Sequence, residues 1–314
     1  MSAIDALWNS LKIPRQLRVG PVSLVLRMAR RVKVSNNWRR RWFERWSTGA
    51  VPLTVPPQRS RLDAPSPQAE VAAQPPVVRP GTAVVVGVGP GLGHALARTL
   101  AAAGMNVALA SRNAERLDPL VAELRSGAAG TVRAYGCDAT DVRSVDDLLA
   151  HVNNDMGVPD LVIFAVQSFG PGRAIDVELP AFEDNWRQNC LGGFIVARAA
   201  ARAMVAVQRG TIVLVGSTSG LIGRADHLNL AVGKFGLRAL AQVMARELWP
   251  EGIHVVHCVI DADIREGPPH ATGHPQADPD DLARMIHALH MQPRSCWTSE
   301  LDLRPWNERF WEHC

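Results

Sequence analysis

One stretch limits the folds open to this 314-residue chain. The apolar run Ala83-Val84-Val85-Val86 leads directly into Gly87-Val88-Gly89-Pro90-Gly91-Leu92-Gly93, and an amphipathic stretch begins there. A short β-branched run closed by glycine reads as a strand buried on both faces of a parallel sheet. A parallel strand needs a crossover, and a helix supplies it. Between strand and helix the chain turns sharply with few side chains. Its backbone can then approach a pyrophosphate while the helix N-terminus faces that anion. Gly87, Gly91 and Gly93 meet these needs, and Gly89 and Leu92 share the same turn. A glycine-rich turn without a ligand is the plainer alternative. The placement between a β-branched strand and a helix argues for the ligand.

The alternation continues. Periodicity predicts strands at 83–87, 107–110, 131–137, 161–166, 211–216 and 254–260. It predicts helices at 91–103, 114–124, 181–207 and 229–248, with Asp141 capping a further one. Repeated units of this length imply an α/β domain, a doubly wound parallel sheet with helices on both faces, over residues 81–314. Residues 49–80 are rich in Pro and Ala and read as an extended linker. Residues 1–48 read as a basic, Trp-containing helical arm.

Charge divides along the same lines. Residues 1–61 carry 13 Lys and Arg against Asp5 and Glu44, while the remainder carries 21 basic against 28 acidic residues. The basic character therefore belongs to the arm. Five scattered cysteines without CxxC spacing fit a reducing, cytoplasmic setting and give no metal site. Of 34 basic residues only Lys12, Lys33 and Lys234 are lysines. A domain that uses arginine elsewhere and keeps Lys234 points to a need for a compact ammonium that can lose its proton.

The second strand ends in Ser111-Arg112. An acidic residue there would favour NAD by bonding the ribose 2′-hydroxyl, whereas a guanidinium offers a fork for a 2′-phosphate, so the sequence predicts NADP(H). The spacing Gly87-x3-Gly91-x-Gly93 resembles the signature of the short-chain dehydrogenase/reductase family. Cys137-Asp138-Ala139-Thr140-Asp141 is similar to that family's stretch after strand three, and Phe235-Gly236-Leu237-Arg238-Ala239-Leu240 after Lys234 is also family-like. The resemblance covers about residues 81–305 and implies a Rossmann fold. It places Asp138 at the adenine, with Ala139 beside it, and Ala165 and Val166 at the adenosine ribose in place of the family's Asn-Asn-Ala-Gly. It places Ile260 at the nicotinamide, where Ile260-Asp261 replaces Pro-Gly.

The same resemblance implies a catalytic set of Asn189, Ser217 and Lys234. Asn189 would hold a water behind the lysine, Ser217 would bond the substrate oxygen, and Lys234 would bind the nicotinamide ribose. The family's tyrosine falls at residue 230, which is Leu, and the chain's only tyrosine is Tyr135. Leucine moves no proton. His227, seven residues before Lys234, has the spacing of the tyrosine in some enoyl reductases of the superfamily, and histidine changes charge near neutrality. A loop histidine is the plainer reading, and an ordered water is another proton source. His270 and His274 sit in a Pro-rich stretch that reads as a loop rather than a metal site.

Two functions stay open. One is an NADP(H)-dependent oxidoreductase acting on a carbonyl or activated C=C in a small molecule, with an atypical proton donor. The other is a catalytically silent NADP(H)-binding subunit, attached to a larger assembly through the arm. In the arm, Trp38, Trp42 and Trp46 form one helical stripe among Arg39, Arg40, Arg41 and Arg45. Such a stripe suits docking within the assembly, a partner protein or an anionic membrane surface. No nucleic-acid-binding signature accompanies it. The first ~30 residues, Arg-rich and nearly acid-free, also fit a transit peptide. The resemblance implies a homodimer or homotetramer.

Overall fold

A computed structural model describes residues 81–265 and 275–309. The expected arm and linker, and His270 and His274, lie outside the described residues. The elements run β1 (Thr82–Val86), α1 (Leu92–Ala102), β2 (Asn106–Ser111), a 3-10 turn (Ala114–Leu117), α2 (Asp118–Arg125), β3 (Val132–Gly136), α3 (Val142–Met156) and β4 (Leu161–Phe164). They continue through α4 (Leu179–Trp186), α5 (Gly192–Val207), β5 (Gly210–Val215), α6 (Leu228–Leu248), β6 (Ile253–Ile260), the short pair β7 (Asp263–Ile264) and β8 (Gln276–Ala277), α7 (Pro279–His290) and β9 (Glu300–Leu303).

Seven strands form one sheet in the order β3-β2-β1-β4-β5-β6-β9. Every neighbouring pair in it is parallel. The order reverses between β1 and β4, paired from Ala83↔Leu161 to Val86↔Phe164. A crevice opens beyond the carboxyl ends of strands at such a reversal, which is where α/β sheets take ligands. Every residue of β1 and of β4 is buried. Their side chains divide between two apolar layers: Val84, Val162 and Phe164 on one face, Val85, Leu161 and Ile163 on the other. At about 1.5–3 kcal/mol for each buried aliphatic side chain, these central strands anchor the crevice rigidly.

The expected cap is present: Asp141 Oδ1 accepts from the backbone N–H of Arg143 (2.7 Å) and Ser144 (3.3 Å). The long helix expected over 181–207 is present, running without a break from Leu179 to Val207 as α4, a π-turn at Arg187–Leu191 and α5. Helix α7 and strand β9 carry the sheet beyond the predicted sixth strand. The register of β9 is held by Glu300, whose carboxylate takes a bidentate pair from Arg238 (2.7 and 2.8 Å) and a bond from His257 Nδ1 (2.8 Å). Under the sheet, the His254 ring stacks on Trp297 at 4.8 Å, and His290 Nδ1 bonds Thr211 Oγ1 at 2.9 Å.

Candidate active site

The turn after β1 has the geometry that its glycines foretell. Gly87 has φ +94°, and a Cβ on it would stand 2.8 Å from the Val166 backbone nitrogen. A Cβ on Gly93 would stand 2.9 Å from Val88 Cα, so this glycine lets α1 pack closely on the turn. Gly91, φ +84°, caps α1 without a side-chain hydrogen bond, and the first turn holds no acid. The first N–H groups and the positive end of the helix dipole are therefore left for a ligand. Nothing lies within 4 Å of the Cβ position at Gly89. These residues form one end of a cleft of about 1090 Å³ at the sheet reversal. Gly87, Gly89, Leu92 and Gly93 line it, while Gly91 faces Ile264 O instead, 3.3 Å from its Cβ position.

Arg112 lines the same cleft, exposed, at the end of β2, with Arg116 and His94 beside the same space. Ser111 also lines it, but its hydroxyl donates to Asn113 O at 2.6 Å, which stabilises the turn that presents Arg112. Asp138 is part engaged: Oδ1 accepts from Thr140 N and Thr140 Oγ1, both at 2.8 Å. The Thr140 N–H, its hydroxyl and the Arg112 charge hold this carboxyl below its usual range. Asp138 so makes the local turn and faces the cleft, which Ala139, Ala165 and Val166 also line.

At the other end lie Ser217, His227, Leu230, Ile260 and Asp261. Ser217 Oγ is buried and has no hydrogen-bond partner. His227 precedes α6; its Nδ1 lies 2.8 Å from Ala225 O, and its ring packs on Phe169 at 5.1 Å. A carbonyl only accepts, so Nδ1 carries the proton and Nε2 is the other ring nitrogen, without a proton in the neutral ring. Leu230, 6 % exposed, presents a hydrocarbon wall. Asp261 is not a free acid. Its Oδ1 accepts from Thr218 Oγ1 (2.7 Å) and its Oδ2 from Arg304 Nη1 (3.0 Å). Arg304 also binds Asp302 and Glu308, each at 2.9 Å.

Two predicted catalytic side chains stand behind the cleft wall. Lys234, 1 % exposed, donates from Nζ to Val215 O (2.9 Å) and Val166 O (3.2 Å), joining the ends of β5 and β4. The family resemblance expects it at the nicotinamide ribose; here its ammonium lies on these two carbonyls. Burial pushes its pKa down to about 7. Asn189, 0 % exposed in the π-turn, uses its whole amide internally: Nδ2 donates to Ser168 O (2.7 Å) and Asn185 O (3.0 Å), and Oδ1 accepts from Ser168 N (3.1 Å). Its side chain therefore clamps the loop after β4. Tyr135 donates to Asp155 (2.8 Å) and is not among the residues lining the cleft.

Sequence reasoning passed over Arg116, Arg224, Phe169 and the Thr218–Asp261–Arg304 link. Arg116 could have been found from its four-residue spacing after Arg112. The others are brought together only by the fold. Among the described residues no cluster could hold a metal ion.

Residues 81–262 match the family model described as short chain dehydrogenase. A D-threitol dehydrogenase of Mycolicibacterium smegmatis is 27% identical over 173 residues, 55% of this chain and 66% of that protein. An uncharacterized oxidoreductase of Staphylococcus aureus is 25% identical over 226 residues, 71% of this chain and 96% of that protein. Among solved structures, a short-chain dehydrogenase from Rhodopseudomonas palustris aligns with TM-score 0.65 at 34% identity, over 73% of this chain and 100% of the other. A metagenomic short-chain oxidoreductase in complex with NADP aligns with TM-score 0.64 at 25% identity, over 73% and 98%.

Proposed function

Since the chain belongs to the short-chain dehydrogenase family, we propose that it is an NADP(H)-dependent oxidoreductase acting on a carbonyl or activated C=C in a small molecule. The fit to the nucleotide rests on the turn at 87–93, where any side chain at Gly87 would meet Val166 and the space at Gly89 is open. Arg112, with Arg116, supplies positive charge for a 2′-phosphate, and Asp138, Ala139, Ala165, Val166 and Ile260 line the space for the rest. The bound nucleotide supplies or accepts the hydride. The observation that carries the reading is Ser217 Oγ, buried in the cleft without a partner. A buried hydroxyl left unpaired is costly, and a substrate oxygen would satisfy it. His227, its tautomer set by Ala225 O, gives or takes the proton through Nε2. Leu230 and Phe169 keep water from the reacting carbon. Asn189 and Lys234 position the loop after β4 and the strand ends that carry Val166 and Ser217.

Calorimetry with NADPH and NADH, followed by NADPH oxidation across carbonyl and enoyl substrates, tests this. Tighter NADPH binding, weakened at least about tenfold in Arg112→Asp, and turnover weakened in His227→Asn support it. A folded protein that gives no heat with NADPH or NADP⁺ ends it.

The second reading, a silent NADP(H)-binding subunit, is favoured by Leu230 and by the carbonyl bonds of Lys234. NADPH binding with no turnover on any substrate, and a partner bound through residues 1–48, would establish it. We further propose a homodimer or homotetramer built on α5 and α6, where Phe194 (40 % exposed), Phe235 (43 %) and Val243 (52 %) show apolar surface. Sedimentation of the full chain reads this directly. A cytoplasmic location suits the unpaired Cys137, Cys190, Cys258 and Cys296.

A further inference from the structure

The hydride chemistry leaves one cation on the cleft wall without a task. Arg224 lies between the Thr218–Gly220 turn and α6 and lines the cleft with Ser217 and His227. Its side chain is 39% exposed, and its ion pair among the described residues is with Asp261 Oδ2 at 3.9 Å. That carboxylate is already satisfied by Thr218 and by Arg304, which sits at 3.0 Å and is 13% exposed. At 3.9 Å the Arg224 guanidinium is beyond hydrogen-bond range of Asp261 and makes only a long ion pair with it. Its five N–H donors are left for something else in the cleft. The turn also ties this residue to the proton-exchanging side chain: His227 N donates to Arg224 O at 3.3 Å. The cleft's other arginines, Arg112 and Arg116, follow β2 at the nucleotide end.

We propose that Arg224 receives a carboxylate on the substrate, so that the reducible compound is an oxo acid. The inference rests on the reading of the site as an NADP(H)-dependent reductase and names its substrate class. A guanidinium matches a carboxylate with two parallel hydrogen bonds, which fixes orientation as well as charge. The substrate's ketone oxygen then lies on Ser217 Oγ and His227 Nε2, and its hydrocarbon part lies against Phe169 and Leu230. In the reaction, the carbonyl carbon takes a hydride from NADPH while the C=O π pair moves to oxygen. That oxygen takes the Nε2 proton of the doubly protonated His227 ring, which is left as the neutral Nδ1–H tautomer held by Ala225 O and regains its proton from solvent; the products are NADP⁺ and a hydroxy acid. Both Asp261 oxygens are hydrogen-bonded, to Thr218 and to Arg304, so the anion meets no carboxylate oxygen without a donor there.

The test uses the full-length protein and a panel of aryl and alkyl 2-, 3- and 4-oxo acids, each beside its methyl ester, with benzoylformate and its ester as the first pair. Calorimetry of each probe with the NADP⁺-saturated protein reads binding without turnover. NADPH oxidation gives kcat and KM. The expected result is a preference for acid over ester that falls about tenfold or more in Arg224→Gln, mainly through the KM of the acid, and is partly kept in Arg224→Lys. A panel with no acid preference, or a preference that Arg224→Gln leaves unmoved, overturns the assignment. NADPH heat is measured on the same samples. Its presence alongside either of those results confines the failure to Arg224, whereas its absence removes the nucleotide reading beneath it.

Discussion

Lys234 makes the stability of this protein rise with pH where most proteins are indifferent. Burial lowers its pKa from 10.5 to about 7 in the folded state, and no carboxylate offsets that cost. Between those two values the unfolded chain holds one proton more than the folded one. Stability therefore climbs by about 1.4 kcal/mol per pH unit over that window and is lost as pH falls through 7. Over the whole interval the ceiling is about 5 kcal/mol. Buried thiols act with the opposite sign. Cys137 is pushed up to about 11 and Cys258 to about 12, so their contribution falls as pH rises past the unfolded value of 9.0. The clean comparison is thus at pH 7.5 and 8.5, as a difference between the native chain and Lys234→Met, which keeps every cysteine. Urea titrations followed by tryptophan fluorescence should show the native chain gaining about 1 kcal/mol on the variant across that step, or roughly 2–4 °C in Tm. Parallel pH profiles would refute the reasoning and would mean that the ammonium stays charged between the two strand ends.

Three further outcomes follow from the described contacts. Gly87→Val forces a β-branched residue to φ +94° against Val166; it should cost about 1–3 kcal/mol in urea titrations and abolish the calorimetric NADPH signal, and retained binding would sink the turn as nucleotide site. Arg304→Met strands Asp261 and Glu308 and should destabilise by about 3 kcal/mol, with Asp261→Leu added to it recovering part of the loss; an additive double variant would show that the pair is not coupled. Burial, helped by the nearby charges of His287 and His254, holds His290 down at about 4, so stability should decline as pH falls from 6.5 to about 4, by at most about 3 kcal/mol, and His290→Asn should flatten that decline in acid titrations.

The sheet was legible because its central strands are β-branched runs, and the nucleotide turn because φ above zero and close backbone packing leave glycine little competition. Helix α7 and β9 were not. Glu300-Leu301-Asp302-Leu303 reads as a short charged stretch, and its place in the sheet depends on Arg238 and His257, residues 62 and 43 positions away. Residue types at 189 and 234 were readable, but their direction was not. Which carbonyl an ammonium meets, or which backbone an amide clamps, is decided by packing between elements distant in the chain. His227 and Ser217 could be placed in advance because each sits where a strand or loop meets a helix at the cleft.

Arg304 closes the floor of the cleft, and Glu300 clips β9 to β6 and α6. During synthesis, then, the ribosome must release residue 304 before Thr218 and Asp261 reach their final arrangement. A nascent chain stalled at residue 290 would already hold the glycine turn and Ser217, yet would lack the Arg304 contact to Asp261. The last contacts beside the cleft are made late, by a few side chains that arrive after the sheet's centre has emerged.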